Sequence, residues 1–249
     1  MNRISALVGL SIAILMPHAA EAQGTQDTVP FVGCPADGQT GYFAPPRGSP
    51  KVVDLHGVSA QSVAYYEGKP GPGVFAPRGW HCQVAYGSAG STIVVTPDFI
   101  NLLHHPAPRV SGHAVELALS LAGTSGRFRV AAYASRLFPN VIPDFIGRVK
   151  SEGLVTDSDL AAERYRQDSV SNLGHLLVAF VTPAGVNGLG TAGYLEPSAD
   201  AIRGLAAIVG DLEEPDMAIV RLRLGASMQQ LEVALLRLNG ECMQRPGGC

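Results

Sequence analysis

The chain has 249 residues, with 18 lysines and arginines against 21 aspartates and glutamates, giving a formal net charge of −3. Its 29 glycines and 18 prolines are about a fifth of the residues, below the roughly 25–30% of low-complexity chains. Charged residues make up 16% against 46% hydrophobic, the reverse of a disordered chain. No run of Lys or Arg offers the electrostatic footprint of a nucleic-acid binder.

The first residues read as an address. Arg3 supplies a positive charge, an apolar run extends from Ala6 to Met16, and Pro17 ends it. Ala20-Glu21-Ala22 then places small residues where a signal peptidase cuts, the layout of a secretory signal peptide. Residues 1–22 are therefore expected to be removed, leaving a mature chain that begins at Gln23. So short an apolar run does not span about 30 Å of hydrocarbon. No later stretch reaches 18 uninterrupted apolar residues, so an integral membrane segment is not expected after cleavage. The expected location is periplasmic or secreted. An exported chain resides where disulfides persist, and the four cysteines, Cys34, Cys82, Cys242 and Cys249, suggest two bridges. Of the three possible pairings, Cys34–Cys82 with Cys242–Cys249 is favoured. The first would tie an N-terminal arm to the body and stabilise by about 4 kcal/mol on the chain-entropy model. A zinc site would call for a Cys-x-x-Cys pair, which none of these spacings supplies.

Residues 23–50 are rich in Pro and Gly without apolar periodicity and read as an extended arm, with a domain over 51–249. Residues 51–56 suit a short strand, 59–67 a short helix capped by Ser59, and 69–73 a loop. Trp80, Cys82, Val84 and Tyr86 alternate on one face, Gly87-Ser88-Ala89-Gly90 turns, and 91–96 runs back, which predicts a hairpin. Residues 114–121 alternate as a strand, with Glu116 on the face opposite Val115, Leu117, Leu119 and Leu121. Helices are predicted over 128–137 and over 143–152, the latter with Pro143 in its first turn. A polar, irregular stretch covers 157–171. Strands follow at 175–181, 201–209 and 217–224, and Ser227 caps a final helix whose Leu231, Leu235 and Leu238 share a face. Few strands are separated by helices, so the fold class is α+β: a single compact domain with a mainly antiparallel sheet, helices on one face, braced by disulfides.

Four strings occur in register: Cys34-Pro35-Ala36-Asp37-Gly38-Gln39, Ala76-Pro77-Arg78-Gly79-Trp80-His81-Cys82, Ser135-Arg136-Leu137-Phe138-Pro139 and Gly188-Leu189-Gly190-Thr191. In this order and spacing the chain resembles a family of uncharacterised exported bacterial proteins. The resemblance spans residues 31–238 and supports the Cys34–Cys82 pairing, since both cysteines lie inside the strings. It implies no particular activity, ligand or partner.

Chemistry-bearing residues are sparse. His104, His105 and His113 have ligand-type side chains, but adjacent histidines on a strand diverge and this stretch is a proline-rich loop. Ser88 lacks the Gly-x-Ser-x-Gly spacing and following helix of a nucleophile elbow. Ser125 reads as a helix cap, and Cys82 beside His81 loses its thiolate if bridged. Gly188 to Gly193 lacks the lysine or helix start of a phosphate cradle and reads as turn glycines. Glu213-Glu214 and the Asp157/Asp159 pair fall in polar connections and read as solvated charge. No catalytic set, metal or cofactor is expected. Arg78, Trp80 and Arg136 are the candidate ligand-binding residues, because aromatic–arginine surfaces recognise ligands. The leading expectation is an exported soluble protein that binds a small molecule or an envelope component. The alternative is an exported hydrolase acting on envelope or extracellular material.

Overall fold

A computed structural model describes residues 26–104, 106–153, 155–160 and 165–245. The expected signal peptide, His105 and Cys249 lie outside the described residues. In chain order the strands are β1 (Asp27–Val29), β2 (Phe31–Gly33), β3 (Ala36–Gly38), β4 (Lys51–Val53), β5 (Val63–Glu67), β6 (Gly73–Pro77), β7 (His81–Gly87), β8 (Gly90–Thr96) and β9 (Ala114–Ser120). Helices α1 (Arg127–Leu137) and α2 (Pro143–Ser151) follow. Then come β10 (Ser169–Asn172), β11 (Leu177–Thr182), β12 (Ile202–Val209), β13 (Asp216–Arg223) and α3 (Gln229–Gln244).

An eight-stranded sheet in the order β10-β11-β12-β13-β9-β8-β7-β3 forms the middle layer. Its pairings are antiparallel except β3 with β7. The expected hairpin is β7–β8, closed by Gly87 opposite Gly90. A nearly continuous apolar run such as Met217 to Val220 puts hydrophobic side chains on both faces, so both need cover. On one face α1 and α2 bring Val130, Ala134, Leu137, Phe145 and Val149 onto Val178, Phe180, Ile208, Met217 and Ile219. On the other, Val84, Ile93, Val115, Leu117, Val220 and Leu222 meet Tyr65, Tyr66 and Phe75 of a second sheet, with Leu235 and Leu238 of α3. The fold is α+β, as the composition of elements implies, but helices cover both faces rather than one.

That second sheet has the order β2-β5-β6, and here the sequence reading is corrected. Ser59 does cap a turn, its Oγ accepting from the Gln61 N–H at 3.2 Å. The turn ends at Ser62, however, and Val63, Tyr65 and Tyr66 continue as β5 paired with β6. β-branched and aromatic residues suit a covered, pleated surface better than a helix. The outer edge at β6 is closed by a side chain. Asn239 of α3 accepts from the Phe75 N–H at 2.8 Å and donates to the Phe75 carbonyl at 3.0 Å, standing in for a neighbouring strand. Ser227 is also reassigned. It sits inside a 3₁₀ turn, Ala226–Met228, that follows Gly225 at φ 70°, and α3 starts beyond it without a side-chain cap. Likewise α1 is not capped by Ser125; Thr124 Oγ1 takes the Gly126 N–H at 3.1 Å.

Residues 26–50 are extended, and their three short strands join three different sheets. β1 pairs with β4, β2 runs parallel to β5, and β3 runs parallel to β7. Between β2 and β3 the Cys34–Cys82 disulfide fastens the arm to β7 across 48 residues. Cys242 is disulfide-bonded, while the expected Cys242–Cys249 pairing falls partly outside the described residues. Among the described residues no helix is long and apolar enough to cross a membrane.

Three-residue strands hold little by themselves, so the staple carries much of the arm's attachment. Replacing Cys34 and Cys82 by Ser together is expected to lower unfolding stability by about 4 kcal/mol. Urea unfolding under non-reducing conditions measures it. An unchanged midpoint would mean that the strand pairings alone secure the arm.

Candidate functional site

Two charged residues interrupt otherwise apolar strands, Glu116 in β9 and Arg221 in β13, and they are direct partners in the strand register. Both are fully buried, with Arg221 Nη1 2.6 Å from Glu116 Oε1. Burial is the largest single influence and would lower the Arg221 pKa; the charge and hydrogen bond of Glu116, together with Tyr133 and Tyr165, outweigh it and leave it raised. Neither group stops at the other. Arg221 Nε donates to the Leu189 carbonyl at 2.7 Å, and Glu116 Oε2 accepts the Tyr194 N–H at 2.8 Å. The pair therefore holds the segment that carries Gly188-Leu189-Gly190-Thr191.

Further polar groups, most of them buried, hold the same segment. Asp168 accepts from the Thr182 hydroxyl at 2.6 Å and the Leu189 N–H at 2.8 Å, and Thr182 Oγ1 accepts the Gly190 N–H at 2.8 Å. Arg109 donates to the carbonyls of Thr191, Gly193 and Leu195. Arg223 donates to those of Gly112, Glu196 and Val110. This explains the glycines, which are not the turn glycines the sequence suggests. A Cβ on Gly188 would lie 2.2 Å from Asp168 Oδ1, and one on Gly193 only 1.9 Å from Glu116 Oε1. Both carboxylates are committed to hydrogen bonds and have no room to withdraw. Close approach, not a left-handed backbone, selects glycine there.

Above this network lies a groove of about 440 Å³, lined by Phe128, Arg129, Ala132 and Tyr133 of α1, by Val155, Asp159 and Tyr165, and by Ala192. That volume falls in the range of small-molecule sites, roughly 300–1,000 Å³. The helix contributes two faces. Val130, Ala131, Ala134 and Leu137 are buried, while 128, 129, 132 and 133 border the groove. The Tyr133 and Tyr165 rings stack, centroids 6.2 Å apart at 26°. Both tyrosines lie within electrostatic range of Arg221, so this aromatic wall stands near the ion pair. Arg129 is exposed. Its charge reaches Tyr194, whose hydroxyl pKa is raised by burial and by Glu116 and moderated by Arg129.

A second groove of about 480 Å³ runs between residues 55–58 and α3, bordered by His56, Val58, Gln230, Val233 and Arg237. His56 there has a positive φ of 44° and pairs with Asp54 at 3.3 Å. None of the described residues that border it is a buried charged group, whereas the buried network of Glu116, Arg221 and Asp168 adjoins the α1 groove, and groups of that kind cluster at functional sites. The α1 groove is therefore the candidate site.

The sequence-derived candidates separate. Arg78 is exposed in the β6–β7 turn, which Gly79 makes possible at φ 85°. Trp80 is half-buried against the core beside Cys82, its backbone N–H donating to the Tyr66 hydroxyl at 3.1 Å. Arg136 lies on α1, on the other face of the sheet, where it acts on Asp168; its Nε is buried without a hydrogen-bond partner. Ser88 and Ser125 do meet, their hydroxyls 3.1 Å apart, and among the described residues neither is bonded to a histidine or carboxylate. His104 is exposed and His113 half-buried. No group of three metal-ligating side chains occurs among the described residues. The sequence reading missed Arg129, Tyr133, Tyr165 and Asp168, together with the partnership of Glu116 and Arg221. The available signals were a charge inside each apolar strand and the i, i+4, i+7 spacing of Arg129, Tyr133 and Arg136.

Comparison with protein-family models, curated proteins and solved structures finds no match for this chain.

Removing one member of the ion pair leaves an uncompensated buried charge. Glu116→Gln is expected to cost about 3–5 kcal/mol of unfolding stability, and Glu116→Leu combined with Arg221→Met to recover part of that. Denaturant titrations of the single and double variants measure the coupling; additive losses would show that the two charges do not act as a pair.

Burial pushes the Asp168 pKa up, against the opposing pulls of the Thr182 hydroxyl, the Leu189 N–H and Arg136. The folded protein then keeps a proton that the unfolded chain has released. The contribution of Asp168 is therefore fully present below the ordinary carboxylate pKa and declines as pH rises toward its folded value. The stability of wild type relative to Asp168→Asn should therefore fall as pH rises above the ordinary carboxylate pKa. A difference that rises with pH would mean that its partners hold Asp168 charged.

Proposed function

We propose that this chain is an exported protein that binds a small molecule or an envelope component in the groove beside α1. One observation carries the reading: an aromatic-walled groove of ligand size lies on a floor fixed by buried, fully engaged polar groups. A site held rigid before binding loses little freedom when its ligand arrives. The Cys34–Cys82 bridge fits an oxidising compartment, and the amino-terminal layout supports export. Two of the four strings behind the family resemblance converge next to this groove, since Arg136 and Leu189 both act on Asp168.

Native mass spectrometry of the protein taken from its exported compartment tests the proposal. The expected result is a chain beginning at Gln23, four hydrogens lighter for two bridges, carrying non-covalent mass that Tyr165→Ala loses. Retention of that mass by Tyr165→Ala would place the ligand elsewhere and refute the groove.

A further inference from the structure

We propose that the groove selects a planar aromatic carboxylate, with its ring against Phe128 and Tyr165 and its acid group on Arg129; this rests on the binding reading above. The charge follows from Arg129. Its guanidinium makes no hydrogen bond or ion pair with any described residue, although it borders the groove. Seven residues on, about 10 Å along the helix, Arg136 shares the same face and holds its Nε buried without a partner. One face of α1 thus carries two guanidiniums on either side of Tyr133. The planar fork of a single arginine matches a single carboxylate.

The ring follows from the walls. Phe128, Ala132, Tyr133, Val155 and Ala192 supply the apolar and aromatic part of the walls. The polar wall residue Asp159 is occupied, its Oδ2 accepting from both the N–H and the hydroxyl of Thr156. A sugar acid would set most of its hydroxyls against ring faces and aliphatic side chains, and unmade hydrogen bonds are expensive. An aromatic acid needs only faces to lie on and one cation.

Calorimetric titration of the folded mature protein tests this with 2-naphthoate, its neutral counterpart 2-naphthalenemethanol, and D-glucuronate. 2-Naphthoate is expected to bind, the alcohol about tenfold more weakly or worse, and glucuronate not detectably. Arg129→Ala should weaken 2-naphthoate by about tenfold or more, and Arg129→Lys by less, because the charge remains while the fork is lost. Arg129 is exposed, so the unfolding midpoint of both variants should match wild type. If the alcohol binds as tightly as the acid and Tyr165→Ala abolishes both, the anion preference is overturned and the groove stands. If glucuronate binds more tightly than 2-naphthoate, the aromatic class is overturned. If no binding responds to Arg129→Ala or Tyr165→Ala, this proposal and the groove reading fall together.

Discussion

The Glu116–Arg221 pair is the constraint around which the large sheet is arranged. Two charges buried side by side in central strands are tolerable only if they face each other and if their remaining hydrogen-bonding capacity is used. Slipping β9 against β13 by one residue would turn one charge toward the opposite core and leave the other alone. The pair therefore fixes register. Its second consequence is reached through Leu189 and Tyr194, because the irregular segment between β11 and β12 must lie over the charges to complete them. A loop that would otherwise lie on the surface becomes a lid on the sheet.

The opposite face is secured by different means. There the contacts are mainly apolar, with Glu232 of α3 buried against Arg203, and the arm that completes the small sheet is too short to hold by strand pairing alone. The Cys34–Cys82 bridge supplies the connection covalently, and Asn239 closes the open edge at β6. One face is organised by buried polar groups and the other by a cross-link. Each half contains two of the four strings that stand out in the sequence: the two cysteine-bearing strings at the bridge, and the Arg136 and Gly188–Thr191 strings around Asp168.

The groove depends on the polar half. Tyr133 and Tyr165 can stack there because α1 is held on the sheet by Val130, Ala134 and Leu137, while Asp168 anchors the chain just after Tyr165. The Asp168 N–H donates to the Tyr165 carbonyl at 3.0 Å, so this anchor and the aromatic wall are one local structure. The polar groups beneath the groove are engaged with one another, while Arg129 stands exposed at its rim.

Much of the architecture was legible in the chain itself. Alternation marked the β7–β8 hairpin and β9, helical spacing marked α1 and α3, and Pro143 marked the start of α2, because these signals are set by neighbours a few residues away. The same local logic misread Val63–Glu67, where pairing with β6 overrode a capped turn, and it placed Glu116 on the face opposite Val115 and Leu117 without showing what covers that face. Whether that face meets water or a loop depends on residues some 70 positions later. The glycines of 188–193 looked like turn chemistry for the same reason, since the carboxylates they make room for come from β9 and from the segment before β10. By itself the sequence determined the α+β class and pointed to the bridge between Cys34 and Cys82, the first a property of composition and short-range periodicity. Only the tertiary structure decided which charges are buried, what the glycines accommodate and where a groove opens, because each requires groups far apart in the chain to share one small, dry volume.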